Sequence, residues 1–210
     1  MSLFDDTDLF TSGKNNKIIY DLPDAELILY EQFFNKEEAD HAYHVLLKET
    51  KWAQEEITIY GKTHLTPRLT AWYGDEGKTY QYSGTKLHPY PWTPELLFIK
   101  DRIEAVTPIR FNSVLLNLYR TGQDSVGWHR DNEKEFGENP VIASVSFGET
   151  RPFHLRHKFK KDISKLEIPL THGSFLLMKG KTQHFWEHQI PKTAKTISPR
   201  INLTFRLVKI

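Results

Sequence analysis

The chain has 210 residues, 39% of them hydrophobic and 13% aromatic, which is a one-domain length with enough apolar material for a sizeable core. Lysine and arginine number 28 against 27 acids, a formal charge of +1, so any attraction to a polyanion must be local rather than a property of the whole chain. The absence of cysteine excludes a disulfide framework, a cysteine zinc site, an iron–sulfur cluster and a cysteine nucleophile, and no apolar run approaches the roughly 18 residues that suggest a membrane span.

The start, MSLFDDTDLF, carries three Asp and no basic residue, the wrong charge for a secretory or transit leader. Residues 1–16 read as a flexible acidic arm on an intracellular protein, cytoplasmic in a bacterium and nuclear in a eukaryote. From Lys17 to residue 210 the chain reads as one domain. KIIYDLP and ELILYEQFF are two short extended runs. A helix then starts behind Asn35, an N-cap with Glu38 at capping-box spacing. Ala39, Ala42, Tyr43, Leu46 and Leu47 give that helix one apolar face. A second helix starts at Thr93-Pro94-Glu95, with Pro at its first position and a stripe of Leu96, Ile99, Ile103 and Val106. After Phe111 short β-rich runs recur between Gly, Pro, Asn and Asp turns: SVLLNLY, VIASVSF, PFHLRHKF, KLEIPL, SFLLM, HFWEHQI and RINLTFRLV. That texture predicts an α+β chain, mainly β, with an antiparallel sandwich or jelly roll in its C-terminal half and the helices packed on a sheet.

Trp128-His129-Arg130-Asp131 places a His and an Asp two residues apart, on one face if the segment is extended. A third ligand is offered by His188, with His184 as the rival, since on a strand the two share a face. Two His and one carboxylate leave positions open on a non-haem Fe(II). A protein-kinase reading of His-Arg-Asp fails, because Phe136 stands where the catalytic Asn belongs and no kinase-type glycine-rich loop is present. In RINLTFRLV, Arg200, Asn202, Thr204 and Arg206 share one face. Two Arg six residues apart lie roughly 20 Å apart along a strand and can lean in to grip a short dicarboxylate at both ends. Asn117 and Tyr119 share the face of another strand and add an amide and a phenol. An open-sided iron beside such a clamp is the equipment of a 2-oxoglutarate-dependent oxygenase.

The stretches NLYRTGQDSVGWHRDNE, ASVSFGETRPFHLRHK, GSFLLMKGKTQHFWEHQIPK and PRINLTFR resemble the AlkB family of Fe(II)/2-oxoglutarate nucleic-acid dioxygenases. The likeness continues upstream through YGKTHLTPRLTAWYGDEGKTYQYSG, where it is most similar to the eukaryotic DNA- and RNA-repair members. The resemblance implies a double-stranded β-helix with a nucleotide-recognition segment at about 55–92. It assigns His129, Asp131 and His188 to iron, with His188 preferred to His184 for its Trp-x-His-x-x-Pro context. It assigns Asn117, Tyr119, Arg200, Asn202, Thr204 and Arg206 to 2-oxoglutarate, with O2 as the second cosubstrate. The implied reaction is oxidative demethylation of 1-methyladenine and 3-methylcytosine in DNA or RNA, releasing succinate, CO2 and formaldehyde, by a monomer with no membrane partner.

For the substrate, Tyr80 and Tyr82 are placed to stack on a flipped base, and Asn132 and Glu133 to meet its edge, where a carboxylate favours a cationic lesion. Arg68 and the Tyr60-Gly61-Lys62 turn lie where similar enzymes engage the strand or the gap left by the base. Arg151, Arg156, Lys158, Lys160, Lys161 and Lys165 form a basic stretch suited to phosphates. Two rivals stand beside this reading. One is an oxygenase acting on a protein or small molecule, against which Tyr80, Tyr82 and the basic stretch count. The other is a jelly-roll binding module without catalysis, which predicts an eroded ligand where all three metal positions and both clamp Arg are present.

Overall fold

Short β-rich runs between turn residues pair into antiparallel sheets, and the computed structural model, which describes residues 16–59, 61–77, 80–82 and 85–209 (57–59, 80–82 and 85–87 through their backbone), lays two of them face to face. Strands β1 (Lys17–Leu22) and β2 (Ala25–Tyr30) form a hairpin, followed by helix α1 (Lys36–Glu49). The hairpin of β3 (Glu56–Ile59) and β4 (Lys62–Leu65), strand β5 (Leu69–Gly74) and the hairpin of β6 (Tyr80–Tyr82) and β7 (Thr85–Leu87) precede helix α2 (Pro94–Glu104). The C-terminal half contains β8 (Ser113–Tyr119), β9 (Val126–His129), β10 (Ile142–Gly148), β11 (Arg151–His157), β12 (Leu166–Leu170) and β13 (Ser174–Lys179). A one-turn helix α3 (Thr182–Phe185), β14 (Trp186–Ile190) and β15 (Arg200–Arg206) complete it.

The larger sheet runs β1-β2-β13-β10-β15-β8-β5 and the smaller runs β12-β11-β14-β9, all pairs antiparallel. Strand β15 is buried on both faces. Its Ile201, Leu203 and Phe205 join Val145 and Phe147 of β10 beneath the two helices, while Arg200, Asn202, Thr204 and Arg206 look into a cavity between the sheets. Both helices form as their caps dictate. The Asn35 side chain accepts the Glu38 N–H at 2.9 Å and Glu38 accepts the Asn35 N–H at 2.9 Å, while Thr93 accepts the Leu96 N–H behind Pro94. Ala39, Ala42 and Leu46 of α1 and Leu96, Ile99 and Ile103 of α2 are buried. Leu47 and Val106 are exposed instead. Val106 lies beyond the end of α2, where Pro108 disfavours helical backbone at the residue before it.

Candidate active site

Two of the three candidate metal ligands, His129 and His188, come from the smaller sheet. His129 ends β9, and His188 lies directly opposite it on β14, so the two side chains leave the same face with ring centroids 4.3 Å apart. Asp131 is not on the strand: β9 stops at His129, so the His-x-Asp segment is not the continuous strand that the shared-face reading needs. The carboxylate reaches the histidines because two partners hold it. Its backbone N–H donates to Gln183 Oε1 at 3.0 Å, and its Oδ1 accepts from Arg206 Nη2 at 2.8 Å. Ligand atoms of His129, Asp131 and His188 all lie within 4.8 Å of one another, a cluster fit for one ion. Nδ1 of His129 is 2.8 Å from the Gly127 carbonyl, which only accepts, so that nitrogen carries the proton and Nε2 is left for the metal.

Electrostatics prepare the cluster for a cation. Burial, with His129 next and Arg206 behind it, pushes the His188 pKa down to about 3 against the pull of Asp131, so the ring is neutral. Burial works to raise the Asp131 pKa, but Arg206 and the two histidines outweigh it and hold the carboxyl below its usual range. Two imidazoles and a carboxylate, with one face toward a cavity, form the donor set of a non-haem iron. His184 takes no part. Its segment is the short helix α3 rather than a strand, which cancels the shared-face argument, and its Nε2 meets the Glu138 carbonyl.

A cavity of about 390 Å³ extends from the metal ligands across the inner face of the larger sheet. Arg200 lies at its far end, 1% exposed, with Nη2 donating to Ser146 Oγ at 2.9 Å. Its Nε and Nη1 are buried without a hydrogen-bond partner among the described residues. Burial lowers the Arg200 pKa to about 10, so the guanidinium is still charged at neutral pH. A buried cation with two idle donors calls for an anion, and a carboxylate answers both donors at once. The 2-oxoglutarate carboxylate far from the metal therefore fits this end.

Other expected pocket residues line the cavity in different capacities. Asn202 donates both amide hydrogens to β10, to Ser144 Oγ at 2.8 Å and Val145 O at 3.1 Å, and accepts from Thr204 Oγ1 at 3.1 Å. Its amide braces the sheet and has no N–H left for a ligand. Arg206 commits one nitrogen to Asp131, which differs from the symmetric two-arginine clamp, while its buried Nε has no hydrogen-bond partner among the described residues. Asn117 Oδ1 accepts from Arg68 Nε at 2.7 Å, leaving the Asn117 amide hydrogens toward the cavity side of the sheet. Sequence reading missed Gln183, Ser144 and Ser146. The alternate serines of β10 were visible in the ASVSF run, but Gln183 carries no local signal.

On the substrate side, Glu133 and Arg68 line the cavity, whereas Asn132 is exposed and outside its lining. Gly61 sits in the β3–β4 turn at φ +75°, and Lys62 is exposed on β4. Tyr60 lies outside the described residues, as do the side chains of Tyr80 and Tyr82, whose backbones form β6. The basic stretch is smaller than its composition. Arg151 is 1% exposed, Arg156 pairs with Glu187, and Lys160 pairs with Asp24.

Two antiparallel sheets with a two-histidine, one-carboxylate cluster between them define an oxygenase of the Fe(II)/2-oxoglutarate class, and residues 26–206 match the model of the 2OG-Fe(II) oxygenase superfamily. The chain is 42% identical over 188 residues to the DNA oxidative demethylase ALKBH2 of Homo sapiens, covering 85% of this chain and 72% of that one. It is 44% identical over 184 residues to the alpha-ketoglutarate-dependent dioxygenase alkB homolog 3 of Bos taurus, covering 84% and 64%. The ALKBH2 of Arabidopsis thaliana is 38% identical, with 88% and 67% covered. The solved structure of OsALKBH1 shares the fold at a TM-score of 0.61 and 18% identity, covering 90% of this chain and 98% of that one. Within the superfamily, the chain belongs to the AlkB family. It is an Fe(II)/2-oxoglutarate-dependent dioxygenase that uses O2.

Proposed function

We propose that the protein repairs alkylated DNA by oxidative demethylation, with 1-methyladenine and 3-methylcytosine as its substrates, acting as an intracellular monomer on DNA and on RNA. One observation carries this: a single cavity joins the metal cluster, the anion-seeking Arg200 and the carboxylate of Glu133. His129, Asp131 and His188 would hold the iron, and Arg200, Tyr119 and Asn117 the cosubstrate. When bound, these groups supply hydroxylation of an N-methyl carbon, which leaves as formaldehyde while 2-oxoglutarate goes to succinate and CO2.

The chain's own residues do the rest. Arg206 holds Asp131 in its ligating direction. Glu133 faces the lesion, whose added methyl leaves a cation, and its negative charge favours that base over a neutral one. A methylated base that cannot pair costs less to unstack, so extrusion toward the cavity selects for damage. Tyr80 and Tyr82 stack on the extruded base. Arg68 and the turn at Gly61 and Lys62 engage the strand. The metal roles and those of Glu133 and Arg68 rest on the family likeness together with the cavity, and those of Tyr80, Tyr82, Gly61 and Lys62 on the likeness alone.

The test is mass spectrometry of short DNA and RNA oligonucleotides carrying one 1-methyladenine or 3-methylcytosine, incubated with protein, Fe(II), 2-oxoglutarate and O2 beside a His188→Ala control. Loss of one methyl mass with the wild type alone is the expected outcome. Steady 2-oxoglutarate consumption with every oligonucleotide unchanged would move the substrate to a protein or small molecule.

A further inference from the structure

We propose that Arg151 is a positioning residue for 2-oxoglutarate, fixing the distance between the metal ligands and the carboxylate-binding end of the cavity. The inference rests on the 2-oxoglutarate reading above and adds to it a residue outside the cavity lining. Arg151 opens β11 on the smaller sheet and is 1% exposed. A fully buried guanidinium needs acceptors, and this one takes backbone carbonyls rather than a carboxylate. Nη2 donates to Pro191 O at 2.6 Å and to Asp124 O at 3.1 Å, and Nη1 to Thr121 O at 3.4 Å.

Those three carbonyls belong to two connections with a common property. The segment from Arg120 to Ser125 leads from Tyr119, at the end of β8, to β9 and His129. The segment from Pro191 to Pro199 leads from β14 and His188 to Arg200, at the start of β15. Each therefore joins a metal-ligand strand to a strand bearing a cosubstrate residue, and Arg151 holds both. The Thr193 N–H donates to Gly122 O at 2.8 Å, so the two connections also touch directly.

The same guanidinium reaches the cosubstrate end through a ring. The Arg151 Cζ lies 5.6 Å from the Tyr119 ring centroid, and the Arg200 Cζ lies 5.3 Å from it, both within cation–π range. Tyr119 is 3% exposed and pairs with Arg200 in the β8–β15 register. Arg151 thus fixes the tyrosine that stands beside the anion-binding arginine and adds a second buried positive charge behind it. A dicarboxylate that must touch the metal with one end and Arg200 with the other senses any change in that spacing as lost affinity. Metal binding itself does not, because the three ligands are held by the β9–β14 pair, Gln183 and Arg206.

Calorimetric titration of 2-oxoglutarate into Mn(II)-loaded protein tests this without turnover. Arg151→Met keeps an unbranched apolar stem and removes the charge and the donors. The expected result is a tenfold or greater loss of 2-oxoglutarate affinity, with Mn(II) affinity within twofold of wild type and the KM for methylated oligonucleotide unchanged at saturating 2-oxoglutarate. Arg151→Lys keeps the charge but cannot reach three carbonyls, and is expected to recover part of the loss. Unchanged 2-oxoglutarate affinity in folded Arg151→Met overturns the proposal. So does a parallel loss of metal, cosubstrate and oligonucleotide binding, which marks a general structural role. Should Arg151→Met fail to fold, Arg151→Lys decides: threefold or weaker binding of 2-oxoglutarate alone supports the proposal, and wild-type affinity or a second failure to fold overturns it. A wild-type protein that binds Mn(II) but no 2-oxoglutarate would instead refute the cosubstrate reading itself.

Discussion

Asp131 illustrates how a candidate ligand can be placed by groups outside the ligand cluster. It lies past the end of β9, so the sheet does not hold it; Gln183 holds its backbone and Arg206 its side chain. Gln183 is completely buried and its Nε2 faces the Met178 sulfur at 3.5 Å, so it has no freedom to swing away. Gln183→Ala is therefore expected to weaken Mn(II) or Fe(II) binding about tenfold or more, the usual scale for losing a group that orients a ligand. Calorimetry on folded protein checks it, and wild-type affinity would assign the placement of Asp131 to Arg206 alone. The two clamp arginines should also separate. Arg200→Ala removes only the anion site, so 2-oxoglutarate binding falls while metal affinity holds. Arg206→Ala releases Asp131, so both fall together. Equal metal affinity in the two variants would mean that Arg206 does not orient the carboxylate.

At the scale of elements, two substitutions of similar severity should have different reach. Asn35→Ala removes the N-cap of α1 and costs about 1 kcal/mol, which in a chain of this size lowers Tm by roughly 2–4 °C. The helix packs on the face of the larger sheet away from the cavity, so the 2-oxoglutarate KM should not move. Gly148→Ala acts on the β10–β11 turn. Gly148 has φ +86°, and an added Cβ would lie 2.5 Å from Pro199 O, immediately before Arg200. Relief of that clash must shift the start of β15, so both Tm and 2-oxoglutarate affinity should drop. An unaltered KM in Gly148→Ala would show that the shift is absorbed within the turn.

The same scale explains what could be read from the sequence. Both helices were legible because capping residues and apolar stripes are local signals, and β8, β10, β11, β12, β13 and β15 because each is a β-rich run between turn residues. Strand β9 was hidden by its four-residue length and by a register shift against β14. The choice between His184 and His188 could not come from spacing, since a one-turn helix interrupts what reads as a continuous strand. Arg151 shows the limit most clearly. Composition groups it with its basic neighbours, and only the tertiary path of two distant connections turns it into a buried pin.

For the whole molecule, a formal charge of +1 gives nucleic acid little long-range pull, so affinity must come from local cations. The structure narrows which ones. Arg151 is buried, Arg156 is paired to Glu187 and lies over the Trp128 ring, and Lys160 is paired to Asp24. Lys158, Lys161 and Lys165 carry the remaining charge of the stretch between β11 and β12; Lys158 lies over Phe159 and Lys165 over Trp128, itself a cavity-lining residue. If these three neutralise phosphates, each contributes about 0.7 to the slope of log affinity against log salt on a single strand. Replacing all three by Gln should therefore reduce the slope by about 2. The loss should be the same for methylated and unmethylated oligonucleotides, because phosphate contacts carry no information about the base. It should leave 2-oxoglutarate affinity and kcat at saturating oligonucleotide unchanged. Fluorescence anisotropy across a salt series measures the slope directly. A wild-type slope in the triple variant would move the phosphate path off this loop and toward the β3–β4 hairpin, where Lys62 is the exposed cation.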